Sequence, residues 1–147
     1  MAEHLMRHAL AAEHAPLSEL KIASAGVAAW NGEPASKHAI TALKKVGIPL
    51  IHESQIVSQD LLNQCFAVFC MTKSHHESLM RCFDVLPPHI LCMRALIPDI
   101  SNDRIEIADP YGQNLQSYED CRDEMIEAIP SLIKFLREKF STTATAH

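Results

Sequence analysis

The sequence predicts an α/β fold: a small three-layer arrangement with a parallel sheet and helices on both faces. Three observations predict it. Helical and strand-like patterns alternate along the chain. Two apolar runs, Phe66 to Met71 and Ile90 to Met93, are short and continuous, as strands buried on both faces are. A long stretch of helical periodicity follows them. Alternation of this kind builds parallel sheets, because each crossover returns the chain in the same direction.

The elements follow in order. Residues 1–14 carry Leu5, Met6, Ala9, Leu10 and Ala12 near helical spacing, which predicts an amphipathic helix starting at Met1. No Ser, Thr, Asp or Asn precedes its first turn, so its first N–H groups have no side-chain cap. Lys21 to Ala25 is a strand candidate ending at Gly26. Residues 34–46 read as a helix with Pro34 near its start and Lys44 and Lys45 in its last turn. Gly47 stands just past its end, where a left-handed residue is wanted. Ile48 to Ile51 is a short extended piece, and Ser58 caps a brief helix through Asn63. After the first apolar run, residues 73–83 form a helix that ends ahead of Pro87-Pro88, and Ile90 to Met93 is the second buried strand. A polar loop spans roughly residues 95–116. In the last helix Tyr118, Cys121, Met125, Ile129, Leu132, Leu136 and Phe140 recur at steps of three and four. Ser117 and Asp120 resemble a capping box, and Pro130 predicts a kink. Residues 1–140 thus form one domain, and residues 141–147 read as a disordered tail.

Composition narrows the function. Hydrophobic residues make up 48% of the 147 and charged residues 21%, enough for one real core. A net charge of −5 argues against a nucleic-acid surface. No apolar run reaches the ~18 residues of a membrane span, and no signal peptide is visible. The five cysteines lie mostly within apolar runs without a Cys-x-x-Cys pair, which suits reduced thiols in the cytosol. His4 and His8 share a helix face and His75-His76 are adjacent. Neither pair has Cys or carboxylate partners at zinc-site spacing, so no metal is assigned. Asp99 to Asp103 resembles the start of a calcium loop, but Arg104 stands where Gly is needed and Pro110 where Glu is needed.

Asp109-Pro110-Tyr111-Gly112 stands out in the long loop; alone, it reads as a turn. Ser24-Ala25-Gly26 follows the first strand candidate. Trp30, the only tryptophan, sits in Ala29-Trp30-Asn31-Gly32 ahead of a helix, where it suits a surface wall better than a core. Together with Met1-Ala2-Glu3 and Met71-Thr72, these residues resemble, in order, the motifs of the low-molecular-weight protein tyrosine phosphatase family, including its bacterial protein-arginine phosphatase branch. The resemblance covers nearly the whole chain. It implies a four-stranded parallel sheet and a Cys nucleophile in a Cys-x5-Arg loop between the first strand and first helix. The loop amides, its Arg and the helix N-terminus would cradle phosphate. It implies no cofactor, and a phosphorylated protein as substrate. Asp109 becomes the general acid that protonates the leaving group and then the base that helps water attack the phospho-enzyme. Trp30 and Tyr111 become the walls of the substrate crevice.

One departure is severe. Six residues after Cys65, Cys70, Cys82, Cys92 and Cys121 stand Met71, His76, Pro88, Pro98 and Glu127; none is Arg. The nucleophile loop and the central strand before it are absent from this sequence. The chain is then expected either to fold poorly or to close the gap by pairing the strand's neighbours, 21–25 and 66–71. Three readings follow. In the first, the gene model starts too late, Met1 being an internal methionine of a true phosphatase, and the chain as written is inactive. In the second, it is a non-catalytic pseudophosphatase or binding module. The third, an arsenate reductase, has the least support, because Cys82 and Cys92 fall on a predicted helix and strand rather than one flexible segment. Ser24-Ala25-Gly26-Val27 leans slightly toward the arginine branch.

Overall fold

The computed structural model describes residues 1–144. Helix α1 spans Ala2–Ala11, α2 Lys37–Lys44, α3 Gln59–Asn63, α4 Lys73–Cys82 and α5 Leu115–Ala144, with strands β1 at Ala67–Cys70 and β2 at His89–Cys92. The strands pair in parallel, Ala67 opposite His89 through Cys70 opposite Cys92. Helix α4 is the crossover between them.

Strand side chains alternate between faces, and the core divides accordingly. Phe69 and Met71 pack against the larger cluster, built from Leu5, Met6 and Leu10 of α1, Ala42 and Leu43 of α2, and the apolar stripe of α5. Val68 and Ile90 face the smaller cluster of Leu62, Cys70 and Leu79, under α3 and α4. Helices therefore cover both faces, as the alternation predicted. On α5, Tyr118, Cys121, Met125, Ile129, Leu132 and Leu136 are buried at the predicted spacing. No described helix is long and apolar enough to cross a membrane.

The helix ends obey side-chain chemistry. Ser36 accepts from the Ala39 amide at 3.2 Å, so α2 starts at Lys37, after Pro34. Gly47 takes φ +78°, the left-handed conformation open to glycine without strain, and its amide donates to Lys44 O. Ser58 and Thr72 cap α3 and α4 in the same way. The cap of α5 is Asn114, not Ser117: Asn114 Oδ1 accepts from both the amide and hydroxyl of Ser117 at 3.0 Å. Helical backbone runs unbroken through Pro130. Residues 141–144, expected in the tail, continue this helix; residues 145–147 lie outside the described ones.

One predicted strand does not form. Lys21 to Ala25 joins no sheet among the described residues, and the sheet has two strands, β1 and β2. A strand exists only against a partner ladder, and here the carbonyls go to side chains. Ile22 O accepts from Arg7 Nη2 at 3.1 Å and Ser24 O from Gln55 Nε2 at 2.9 Å. The segment reaches a neighbour only at Gly26, bridged to Ile56. Residues 21–25 and 66–71 do not pair with each other. Ile48 to Ile51 also forms no strand, although Ile48 and Leu50 turn inward.

Candidate functional site

Two family-like motifs at opposite ends of the first 26 residues meet in space. Ser24 Oγ donates to Glu3 Oε2 at 2.5 Å, and Arg7 Nη2 donates to Glu3 Oε1. Burial alone would raise the Glu3 carboxyl. The bonds from Ser24 and Arg7, with the charges of Arg7 and His52, outweigh it and hold the group below its ordinary range. Gly26 completes the turn by close approach: a Cβ there would lie 2.8 Å from the Ala29 Cβ. Its amide donates to Gln55 O at 2.9 Å, and Val57 N donates back to Gly26 O at 3.0 Å.

The Trp30 loop hangs from the same segment. Ser54 Oγ donates to Trp30 O, Gly32 N donates to Ser54 O at 2.8 Å, and Ile56 N donates to Asn31 Oδ1 at 2.9 Å. The indole is 81% exposed, an arrangement no core tryptophan adopts.

Asp109 sits in a loop pinned to the end of β1. Ile107, 1% exposed, donates its amide to Met71 O at 2.9 Å, and Lys73 N donates to Glu106 Oε1 at 2.8 Å. Met71-Thr72 therefore does two jobs: Met71 O anchors the loop and Thr72 caps α4. Beyond the anchor, Asp109 Oδ1 accepts from the Tyr111 amide at 3.0 Å, and Gln113 N donates to Pro110 O at 3.0 Å, closing a turn. Asp109 is exposed, and so is the Tyr111 ring. Asp109 and Tyr111 are thus brought together. No hydrogen bond or ring contact among the described residues joins Trp30 to either.

A cleft of about 180 Å³ opens beside this turn, lined among others by Asp109, Gln113, Ser117, Asp120 and Glu124, with Cys121 at its floor. Three of these side chains are carboxylates, and none of the described lining residues is cationic. Burial pushes the Cys121 thiol up to about 11, with the charges of Glu124 and Asp109 adding to the rise and the Met1 amino group opposing it. A thiol so held stays protonated at neutral pH and makes a poor nucleophile. Cys70, buried at the end of β1, is likewise pushed up to about 11, by burial first and then by the charge of Cys92. The described lining of the cleft thus combines carboxylates with a protonated thiol and holds no cationic side chain.

The family model described as low molecular weight phosphotyrosine protein phosphatase matches residues 1–142. The chain belongs to this family. Within it, the chain is 30% identical to the protein-arginine-phosphatase of Geobacillus stearothermophilus over 130 residues, covering 88% of this chain and 83% of that one. In structure it is similar to an arginine phosphatase from the same organism, with a TM-score of 0.79, 25% identity, and coverage of 99% of this chain and 88% of that one. It is also similar to a low molecular weight protein tyrosine phosphatase from T. tengcongensis, with a TM-score of 0.78, 28% identity, and coverage of 90% and 87%. Both branches named from the motifs are therefore represented among the relatives of this phosphatase-family chain.

Two features of the site region were missed in the sequence. One is Arg94, 2% exposed, whose Nη2 lies 3.1 Å from Glu127 Oε2 and which leads from β2 into the Asp109 loop. An arginine directly after an apolar strand was the available signal. The other is His52, brought beside Glu3 and His4 by the fold.

Proposed function

We propose that these 147 residues carry the acid and the crevice walls of a protein phosphatase, without its nucleophile. Asp109 gives its proton to the leaving group and then takes one from the attacking water. Trp30 and Tyr111 flank the phosphorylated side chain. The substrate is a phosphorylated protein. The protein-arginine-phosphatase relative supports phosphoarginine, and phosphotyrosine is the second candidate. One observation carries the inactive half of this reading: the cleft at Asp109 is lined by carboxylates, and its only lining thiol is buried and held protonated. An anionic phosphate would be repelled there by Asp109, Asp120 and Glu124, with no cationic side chain among the described lining residues.

The test is direct. The purified 147-residue chain is expected to leave both a phosphotyrosine analogue and a phosphoarginine protein unhydrolysed; turnover of either refutes the reading. Joining a strand and Cys-x5-Arg loop ahead of Met1 should create activity. Asp109→Asn in that fusion should then reduce kcat by about 10²–10⁴-fold. Activity indifferent to Asp109 would remove it from the acid role.

A further inference from the structure

The first turn of α1 and the segment after Ile51 bring Glu3, His4 and His52 together, with one ligand atom from each lying within 4.8 Å of the others. His52 Nδ1 is 3.6 Å from Glu3 Oε2. The rings of His4 and His52 meet edge to face, with centroids 5.9 Å apart. No spacing rule groups them, because His52 lies 48 residues from His4 in the chain.

His4 is the informative member. Its Nε2 lies 3.1 Å from Ile51 O, a carbonyl that can only accept, so Nε2 carries the proton. The lone pair is therefore on Nδ1, and that atom is buried with no hydrogen-bond partner among the described residues. A buried acceptor left unpaired costs about 1–3 kcal/mol unless something occupies it. The surrounding bonds match those that orient metal ligands: a backbone carbonyl on the far nitrogen of a histidine, and a hydroxyl and a guanidinium on the carboxylate.

We propose that Glu3, His4 and His52 form a binding site for one divalent transition-metal ion of the zinc type. Two imidazoles and a carboxylate are a recurrent three-ligand zinc set, with water as the fourth ligand. Arg7 occupies Glu3 Oε1, while Oε2, which accepts from Ser24 Oγ, lies on the histidine side and keeps a second lone pair for an ion. Ligand atoms of a tetrahedral zinc lie about 3.3 Å apart, given bonds of about 2.0–2.1 Å. The cluster therefore closes by small side-chain rotations. The positive charge of Arg7 opposes a cation, which makes the site one of moderate affinity. The proposal is independent of the phosphatase reading.

Zn²⁺ titrated calorimetrically into the unaltered 147-residue chain should bind with one equivalent. Co²⁺ at the same site should give a d–d spectrum without the intense thiolate charge-transfer band. Zn²⁺ should shift the imidazole nitrogen resonances of His4 and His52, a measurement that needs no variant. His4→Ala and His52→Ala should each weaken binding at least about tenfold, whereas His8→Ala and Cys82→Ala should not. Absence of one-to-one binding, a thiolate band, unshifted His4 and His52 resonances, or full affinity in folded His4→Ala would each overturn the proposal.

Discussion

Replacing Glu127 should hurt this protein more than replacing the arginine it serves. Arg94 is 2% exposed, and its Nε and Nη1 are buried without partners. Among the described residues its compensating charge is Glu127, 3.1 Å from Nη2. Glu127→Ala therefore strands a guanidinium in the core. Breaking a fully buried pair from one side costs about 3–5 kcal/mol. Glu127 itself is 47% exposed, so water screens part of the attraction and about 2–3 kcal/mol is expected. Arg94→Met removes the charge and its desolvation together and keeps most of the volume, so it should cost less than about 1 kcal/mol. The double variant should recover most of the loss. Urea unfolding followed by circular dichroism reads this out. With m near 2 kcal/mol/M and unchanged, Glu127→Ala should lower the midpoint by about 1–1.5 M. Arg94→Met costing as much as Glu127→Ala would refute the reasoning, because the loss would then come from Arg94's own contacts rather than from an uncompensated charge.

Three further outcomes are expected. Leu132→Ala, at a fully buried position of α5, should destabilise by about 2–5 kcal/mol in the same assay. Pro130 is exposed within α5, so Pro130→Ala restores a helix donor at little packing loss and should stabilise by about 1–3 kcal/mol; a loss would show that the helix is shaped around the ring. Exposed Cys82 should be alkylated first by iodoacetamide at pH 8, as read by peptide mass spectrometry. Cys70 and Cys121, pushed up to about 11, should lag, with thiolate fractions near about 10⁻³. Because the fold favours their protonated form, stability should be full below the ordinary thiol value of 9.0 and should fall as pH rises past it.

Sequence patterns revealed what is local and periodic. The stripe from Tyr118 to Leu136, the two short apolar strands, the caps at Ser58 and Gly47, and the exposed setting of Trp30 all follow from spacing and residue chemistry. Lys21 to Ala25 failed as a strand because strand formation is a property of a pair, and no described segment lies beside it to complete the ladder. The α5 cap moved to Asn114 because two residues able to cap lay within one turn, and a pattern cannot rank them. Within the site, Asp109 and Tyr111 were legible as one motif. The meeting of Glu3 with Ser24 and His52, and the burial of Arg94, depend on contacts between residues far apart in the chain, for which no spacing rule exists.

The position of α5 bears on how the protein is made. It supplies one wall of the main core, from Tyr118 to Leu136, and Arg137 reaches back to Glu13 near the amino end with bonds of 2.9 and 2.6 Å. Until α5 has emerged from the ribosome, the core around Leu5, Leu10 and Leu43 lacks that wall. The nascent chain must therefore carry these side chains partly exposed until α5 is made, and the core closes when that helix arrives. Any change that slows α5, or shortens it, would act first on the yield of folded protein.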